Sequence, residues 1–269
     1  MKRRHYRSFK VRIFRHLSIV IALIVGANLF AVTPSFSAPG ITCSAVTSSL
    51  GSSFPADNVW KPIRSPNGSV LTDPAGDVTN PNTNIDIYGT DQVGNTPAAS
   101  AVDWYSTGTS GYFMFRIRVY VTAVAGGRID AKQWIVGIGT GTTPKAYVVV
   151  NGNNSGTNEV TIYNGSGVEK FCYEFNSLGD SSNYAYAFSP DGTKHYVYMQ
   201  VPYSNLNSVV TLGSGNVYGL FGGTTISNSF SAINRDCLTS NCSVPDFSST
   251  QQTDLSQNLS AATPPPIIS

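Results

Sequence analysis

Short runs of alternating aromatic and β-branched residues, separated by tight-turn sequences, constrain the fold of this chain more than any other feature. The steps Asn151-Gly152, Asn164-Gly165 and Asp191-Gly192 supply the positive φ angles that tight hairpin turns require, and no stretch shows convincing helical periodicity. The pattern predicts an all-β fold, a single antiparallel, jelly-roll-like β-sandwich. The predicted strands are Ala101–Ser106, Tyr112–Thr122, Gln133–Gly139, Ala146–Asn151, Glu159–Tyr163, Glu169–Phe175, Tyr184–Phe188, His195–Val201 and Val217–Gly222.

Residues 1–37 have the composition of a secretory signal peptide. Seven basic residues and no acidic ones precede position 16, an apolar run extends from Leu17 to Val32, and Ser35 and Ser37 are the small residues before a cleavage point. An uncleaved membrane anchor is the alternative, but a predominantly apolar run of 16 residues falls short of the roughly 20 that span a bilayer. We therefore predict an exported protein, secreted or at the cell surface, with the periplasm as a further alternative and no membrane insertion after cleavage.

Removal of the signal peptide reverses the sign of the net charge. The whole chain has 17 basic and 15 acidic residues; seven of the basic ones lie in the signal, which leaves ten against 15 and a formal charge of −5. Nucleic-acid binding needs clustered Lys and Arg that displace counterions. We therefore expect no nucleic-acid partner.

Four cysteines remain in the mature chain, and an even number in an exported protein favours disulfides. Four cysteines allow three pairings. Cys237 and Cys242 enclose only four residues, so a local loop is predicted, which leaves Cys43 to pair with Cys172. A zinc site is the alternative, but the mature chain has a single histidine and no CxxC pair.

The mature chain divides into three parts by composition. Residues 38–98 are rich in Pro, Asn and Asp. This composition predicts an irregular N-terminal segment that packs on the sandwich edge, and residues 99–245 are predicted to form the sandwich core. Residues 246–269 are rich in Ser, Gln, Thr and Pro. Such a segment has too few apolar residues to offset the entropy of ordering, so we predict a flexible tail.

A turn with a carboxylate on either side, Asp73-Pro74-Ala75-Gly76-Asp77, precedes a third acidic residue, Asp86. Calcium takes six to eight oxygen ligands from carboxylates, amides and backbone carbonyls. Asp73, Asp77 and Asp86 are therefore candidate ligands of a structural Ca²⁺. The alternative is that these residues only stabilise turns.

The order of these motifs resembles a known group of domains. The acidic turn is followed by the strand Tyr112–Val119 and, much later, by His195–Val201 with Pro202 and Leu206 after it. This arrangement is similar to the family-9 carbohydrate-binding and DOMON-like β-sandwiches of secreted bacterial proteins, over about residues 73–223. The resemblance implies a β-sandwich with a calcium site and a sugar site.

Aromatic side chains are the candidates for a sugar site, because flat exposed rings can stack on sugars. Trp60 lies in a Pro-flanked loop and Trp104 follows Asp103, so these two are the first candidates for exposed glycan platforms. The alternative, which is the commoner case for any one aromatic residue, is that they belong to the core. Most other aromatics in alternating strands are expected to face the core. Arg116 and Arg118 alternate on one strand face, which we expect to be the solvent side.

Catalytic motifs are weak: one histidine remains, His195, and no Gly-x-Ser-x-Gly elbow is present. The sequence therefore favours a non-enzymatic cell-surface or extracellular-matrix protein with a structural or adhesive role, with copies of itself as partners. One route to assembly is donation of the segment Ile41–Leu50 to a sheet edge of another copy. The alternative is a carbohydrate-binding module with a structural calcium and an extracellular glycan as partner; a secreted hydrolase is the third interpretation.

Overall fold

Two β-sheets pack against each other in the computed structural model, and this confirms the predicted all-β sandwich. The larger sheet has the strand order β1-β10-β9-β8-β7-β13-β14 and the smaller has the order β11-β12-β4-β3-β2; β5 and β6 form a separate hairpin. Among the strands that the structure describes, every pairing is antiparallel except that of β1 with β10. In chain order the strands are β1 (Ser44–Ala45), β2 (Lys61–Pro62), β3 (Val102–Ser106), β4 (Tyr112–Val119), β5 (Val124–Ala125), β6 (Arg128–Ile129), β7 (Gln133–Thr140), β8 (Thr143–Asn151), β9 (Asn158–Asn164), β10 (Glu169–Phe175), β11 (Tyr186–Phe188), β12 (His195–Pro202), β13 (Gly219–Thr225) and β14 (Asp236–Cys237).

The structure describes most of the mature chain and none of the predicted signal peptide, which stays a prediction. All described residues belong to one compact unit, residues 34–269. The described ranges are 41–45, 55, 57–73, 78, 85–89, 100–109, 111–120, 124–125, 128–129, 132–152, 158–175, 186–188, 195–213, 215–225, 233, 235–238, 242 and 245–257.

The main core lies between the sheets because every second side chain of a strand points the same way. On β4 the residues Phe113, Phe115 and Ile117 are fully buried in it, and Val148 and Val150 of β8 meet them from the other sheet. Each of the nine predicted strands is present, with ends that differ from the prediction by at most three residues.

The hairpin turns use glycine in two different ways. Gly141, between β7 and β8, has φ +55°, and Gly167, between β9 and β10, has φ +78°. A turn is present at Asn164-Gly165, where the Asn164 side-chain oxygen accepts from the Val168 N–H at 2.8 Å, but the positive φ expected at Gly165 is found at Gly167. Gly165 itself is needed for space, since a Cβ there would lie 2.1 Å from the Pro144 carbonyl oxygen.

An α-helix, α1 (Tyr203–Val209), follows β12 directly, although no helical periodicity in the sequence predicted it. Seven residues are too few for helix propensity to stabilise it alone. Tyr203 and Leu206 are buried in the main core, so tertiary packing supports the helix. Within the described part of the chain, no helix combines the length and the apolar character needed to cross a membrane.

The predicted flexible tail was wrong for residues 246–257. A 3-10 helix, Phe247–Ser249, seats the fully buried Phe247 ring against Gly137 and Gly139 of β7, and Leu255 is also fully buried. The two apolar side chains together with the Tyr218–Thr253 bridge order a segment whose composition is otherwise polar. Residues 258–269 lie outside the described residues.

Both predicted disulfides are present and each ties a peripheral segment to the larger sheet. Cys43 bonds Cys172 of β10 with a Cα–Cα distance of 4.6 Å, and Cys237 of β14 bonds Cys242 with a Cα–Cα distance of 5.4 Å. Such pairs are compatible with an extracellular or periplasmic location. The segment Ile41–Leu50 was predicted to be donated to another copy of the chain. The described part of this segment includes β1, which follows Cys43 and pairs with β10 of its own chain.

Candidate functional site

The chain around Asp86 is held against the end of β4. Ile85 and Ile87 on either side of it are fully buried, and Ile87 forms an antiparallel bridge with Val119. The Tyr120 N–H donates to the Asp86 carbonyl at 2.9 Å. Asp86 is thereby carried into the interior, where its side chain is also fully buried.

Asp236 reaches the same place from the larger sheet. It pairs with Thr224 at the edge of that sheet, and its Oδ2 accepts from the Ile87 N–H at 2.5 Å. Thr224 adds a second link, because its hydroxyl donates to the Ile85 carbonyl at 2.8 Å. Asp73 is the third member of the group, and its own carbonyl accepts from the Gly89 N–H at 2.9 Å.

Asp73, Asp86 and Asp236 form the carboxylate triad: one oxygen from each lies within 4.8 Å of the others, and all three side chains are buried. Oxygens that bind one Ca²⁺ at 2.3–2.6 Å are at most about 5 Å apart, so this spacing fits a shared ion. Three negative charges this close in a buried place also repel one another strongly unless a proton or a cation intervenes.

The triad contains two of the three predicted calcium ligands. Asp77 lies outside the described residues. The sequence did not point to Asp236 as a ligand, because it lies 150 positions beyond Asp86. Its one distinguishing feature in the sequence is that it precedes Cys237, and no local pattern connects it with Asp73.

The two tryptophans named as candidate glycan platforms are both buried, so neither is an exposed platform and the alternative, a core position, is the one observed. Trp60 is 1% and Trp104 is 4% exposed. Trp104 faces the main core, stacked on Phe113 at 5.6 Å between ring centroids, because it occupies an inward position of β3. Trp60 lies against Tyr198 on the opposite face of the smaller sheet, and its Nε1 donates to the Pro55 carbonyl at 3.1 Å.

The predicted solvent side of β4 is also covered. Arg116 is fully buried and Arg118 is 4% exposed. The Arg116 guanidinium lies 4.6 Å from the Trp60 ring centre and 4.2 Å from that of Tyr196, and its Nε is 2.6 Å from Asp103 Oδ2. A buried cation of this kind is stabilised by a carboxylate and by ring faces. The outer face of the smaller sheet therefore carries a second packed layer and no solvated surface at these positions.

Three glutamates surround the Cys43–Cys172 disulfide on the outer face of the larger sheet. Glu159 and Glu174 are directly opposite each other on β9 and β10, and both have a carboxylate oxygen within 4.8 Å of Cys43 Sγ, as does Glu169. Burial and the nearby Glu159 raise the pKa of Glu169 to about 7. Burial, and then Glu174, raise the pKa of Glu159. The sulfurs are bonded to each other and offer no thiolate to a metal.

A partly exposed aromatic pair lies beyond the end of β4. Tyr120 is 47% exposed, and its ring meets that of the half-buried Tyr88 edge-on, with centroids 5.5 Å apart. The Arg118 guanidinium lies 4.5 Å from the centre of the Tyr88 ring. No sequence pattern marks this pair, because Tyr88 follows the acidic segment and Tyr120 falls inside the predicted strand Tyr112–Thr122.

Comparison with family models, with curated proteins and with solved structures returned no match.

Proposed function

We propose that this chain is a non-enzymatic, exported β-sandwich protein with a structural or adhesive role at the cell surface or in the extracellular matrix. A Ca²⁺ held by Asp73, Asp86 and Asp236 stabilises it. The single observation that carries the proposal is the carboxylate triad, which joins two parts of the N-terminal segment to an edge strand of the larger sheet.

The ligand chemistry favours calcium among the common cations. The triad offers only carboxylate oxygens, which suit hard cations, whereas zinc prefers cysteine and histidine. Extracellular modules bind Ca²⁺ in the 10⁻⁴–10⁻³ M range. An ion shared by the three carboxylates would link the segments that meet at the triad, so its contribution is to stability.

A structural role is supported by how the peripheral segments are attached. The Cys43–Cys172 bond holds the first strand, the triad joins Asp73 and the segment 85–89 to the larger sheet, and the Cys237–Cys242 bond closes the loop after Asp236. Each tether restricts local opening of a segment that contributes few strand residues. A module restrained in this way suits an environment without chaperones or reducing agents.

Thermal unfolding with and without chelator tests the calcium site. At 100 times its dissociation constant a ligand adds about 2.7 kcal/mol of stability, and for a chain of this size that raises the Tm by about 5–10 °C. We expect this rise for the mature protein on addition of Ca²⁺, and no rise for Asp236→Asn. Asp254→Asn, outside the triad, is the matched control and keeps the response.

Equal Tm values in calcium and in chelator would remove the calcium site from the proposal. The structural role has its own test, which is negative-stain microscopy of the mature protein across a concentration series together with assays for hydrolysis of polysaccharides and peptides. Concentration-dependent filaments or sheets without turnover support it. Substrate turnover that survives repurification overturns it.

A further inference from the structure

The two sulfurs of the Cys43–Cys172 disulfide differ in their access to solvent. Cys172 is 3% exposed on β10, whereas Cys43 is partly exposed just before β1. Thiol–disulfide exchange begins when a thiolate attacks one sulfur of the bond and the other sulfur leaves as a thiolate. A reductant from solvent therefore reaches Cys43 Sγ first, and Cys172 is the leaving group.

Two carboxylates lie beside the sulfur that is open to attack. Glu159 and Glu174 are directly opposite each other on β9 and β10, and one oxygen from each lies within 4.8 Å of Cys43 Sγ. Both glutamates are partly buried, and charges in such a setting interact more strongly than in bulk water. The pair therefore opposes the approach of a negatively charged nucleophile.

A third carboxylate lies beside both sulfurs. One oxygen of Glu169 is within 4.8 Å of Cys43 Sγ and of Cys172 Sγ. When the bond breaks, the new negative charge on Cys172 forms in a buried position next to this carboxylate. A thiolate that a nearby negative charge destabilises leaves less readily. Glu169 therefore opposes the same reaction from the side of the leaving group.

The strands around the bond carry little positive charge to balance these carboxylates. Lys170 is the one basic residue on β9 and β10; it is exposed and forms no ion pair with a described carboxylate. Burial raises the pKa of Tyr163 to about 12, so its phenol is neutral at pH values below that. Burial and Glu159 raise the pKa of Glu169 to about 7, so this carboxyl is mostly ionised at a pH of about 8.

We propose that Glu159, Glu169 and Glu174 control the reduction of the Cys43–Cys172 bond by charge, so that anionic thiols are disfavoured and thiols with a positive group are admitted. One thiolate displaces Cys172 from Cys43 and forms a mixed disulfide. A second thiolate attacks the reductant's sulfur in that mixed disulfide and releases Cys43 as a thiolate. Two reductant thiols thus become one disulfide, and their two protons pass to the two protein sulfurs. This selectivity goes beyond the structural role proposed above and does not require the cation.

Reduction kinetics with two small thiols test the proposal on the mature protein at a pH of about 8. The thiolate form of cysteamine has no net charge, because its ammonium balances the sulfur, whereas the thiolate form of 2-mercaptoethanesulfonate has a second negative charge. Iodoacetamide quenches each sample, and mass spectrometry separates the Cys43–Cys172 peptides from those of Cys237–Cys242. The measured quantity is the ratio of the cysteamine rate to the 2-mercaptoethanesulfonate rate at each bond.

The double variant Glu159→Gln/Glu174→Gln is expected to lower this ratio at Cys43–Cys172 at least about tenfold, since the anionic thiol gains most from the loss of two negative charges at the point of attack. Glu169→Gln is expected to speed reduction by both thiols. High salt should lower the ratio of the parent protein, because it screens partly exposed charges. Asp254→Asn removes a carboxylate elsewhere and should keep the parent's ratio.

The Cys237–Cys242 bond is the internal control, and its ratio should be the same in the parent and in the glutamate variants. A purely structural role of the glutamates would change the rates of both thiols by the same factor, so an unchanged ratio in the double variant overturns the proposal. It is also overturned if neither thiol reduces Cys43–Cys172 in the parent or in any variant, because burial and not charge then protects the bond. Reduction of the double variant by 2-mercaptoethanesulfonate under conditions that leave the parent oxidised supports it.

Discussion

Arg116 and Asp103 form an ion pair inside the protein, with Nε and Oδ2 2.6 Å apart and with side chains that are 0% and 1% exposed. The two residues are directly opposite each other on β4 and β3. Asp103 also accepts from the Ser100 hydroxyl through its other oxygen. The pair lies beneath Trp60 and Tyr196, so both charges depend on each other and on the ring faces around them.

Loss of one member of this pair is expected to destabilise the protein strongly. Removing one partner of a buried ion pair leaves an uncompensated charge and costs about 3–5 kcal/mol. We expect Asp103→Ala and Arg116→Met each to lower the free energy of unfolding by this amount in urea titrations. The double variant should lose much less than the sum of the two, and strict additivity would contradict the prediction.

Trp104→Ala is expected to act on stability, since the indole is buried between the sheets against Phe113. Truncating a buried tryptophan costs about 3–5 kcal/mol, measured as a shift of the urea midpoint. Val217→Ala, at an exposed position, is the control and should change stability by less than about 0.5 kcal/mol. A Trp104→Ala protein as stable as its parent would show that this side chain contributes little to the core.

Glu169 is expected to make stability depend on pH. Its pKa is about 7 in the folded protein and near 4.5 in the unfolded chain, so between these values the folded state binds more protons. The contribution of Glu169 to the free energy of unfolding is therefore fully present below pH 4.5 and is lost as the pH rises through 7.

Urea unfolding at about pH 5 and about pH 8 measures this effect. The parent protein should lose stability over this interval through Glu169 and, in the same direction, Glu159, whose pKa is also raised by burial and by Glu174. Glu169→Gln should reduce the difference in the free energy of unfolding between the two pH values and should raise stability at the higher pH. Asp254→Asn leaves Glu169 in place and should keep the parent's pH dependence. If Glu169→Gln shows the same difference in stability between the two pH values as the parent, Glu169 is not the source of the pH dependence.

Phe247 is expected to stabilise the sheet that it covers. Its ring is fully buried and packs on Gly137 and Gly139, in the space that a Cβ at either position would need. Phe247→Ala should therefore cost about 3–5 kcal/mol, whereas Gln251→Ala, nearby and exposed, should cost under about 0.5 kcal/mol. Equal stability of the two variants would mean that the C-terminal segment does not contribute to the folded core.

Local patterning was sufficient for the strands and for the disulfides. On β12, Tyr196 and Tyr198 lie on one face of the sheet and Val197 lies on the other, because strand alternation is a property of neighbouring residues. Alternation does not say which face meets solvent. For that reason Arg116, expected on a solvated face, lies instead beneath Trp60.

By itself, the sequence determined the all-β sandwich, the positions of nine strands and the two disulfide pairs, since these follow from short-range periodicity, turn chemistry and cysteine spacing. Only the tertiary structure decided that Asp236 joins Asp73 and Asp86, that Phe247 and Leu255 anchor a polar segment, and that Tyr120 is exposed while Trp60 and Trp104 are buried. These outcomes depend on which distant segments cover each sheet face. Burial and the proximity of charges are therefore properties of the packed chain, and no local stretch of sequence encodes them.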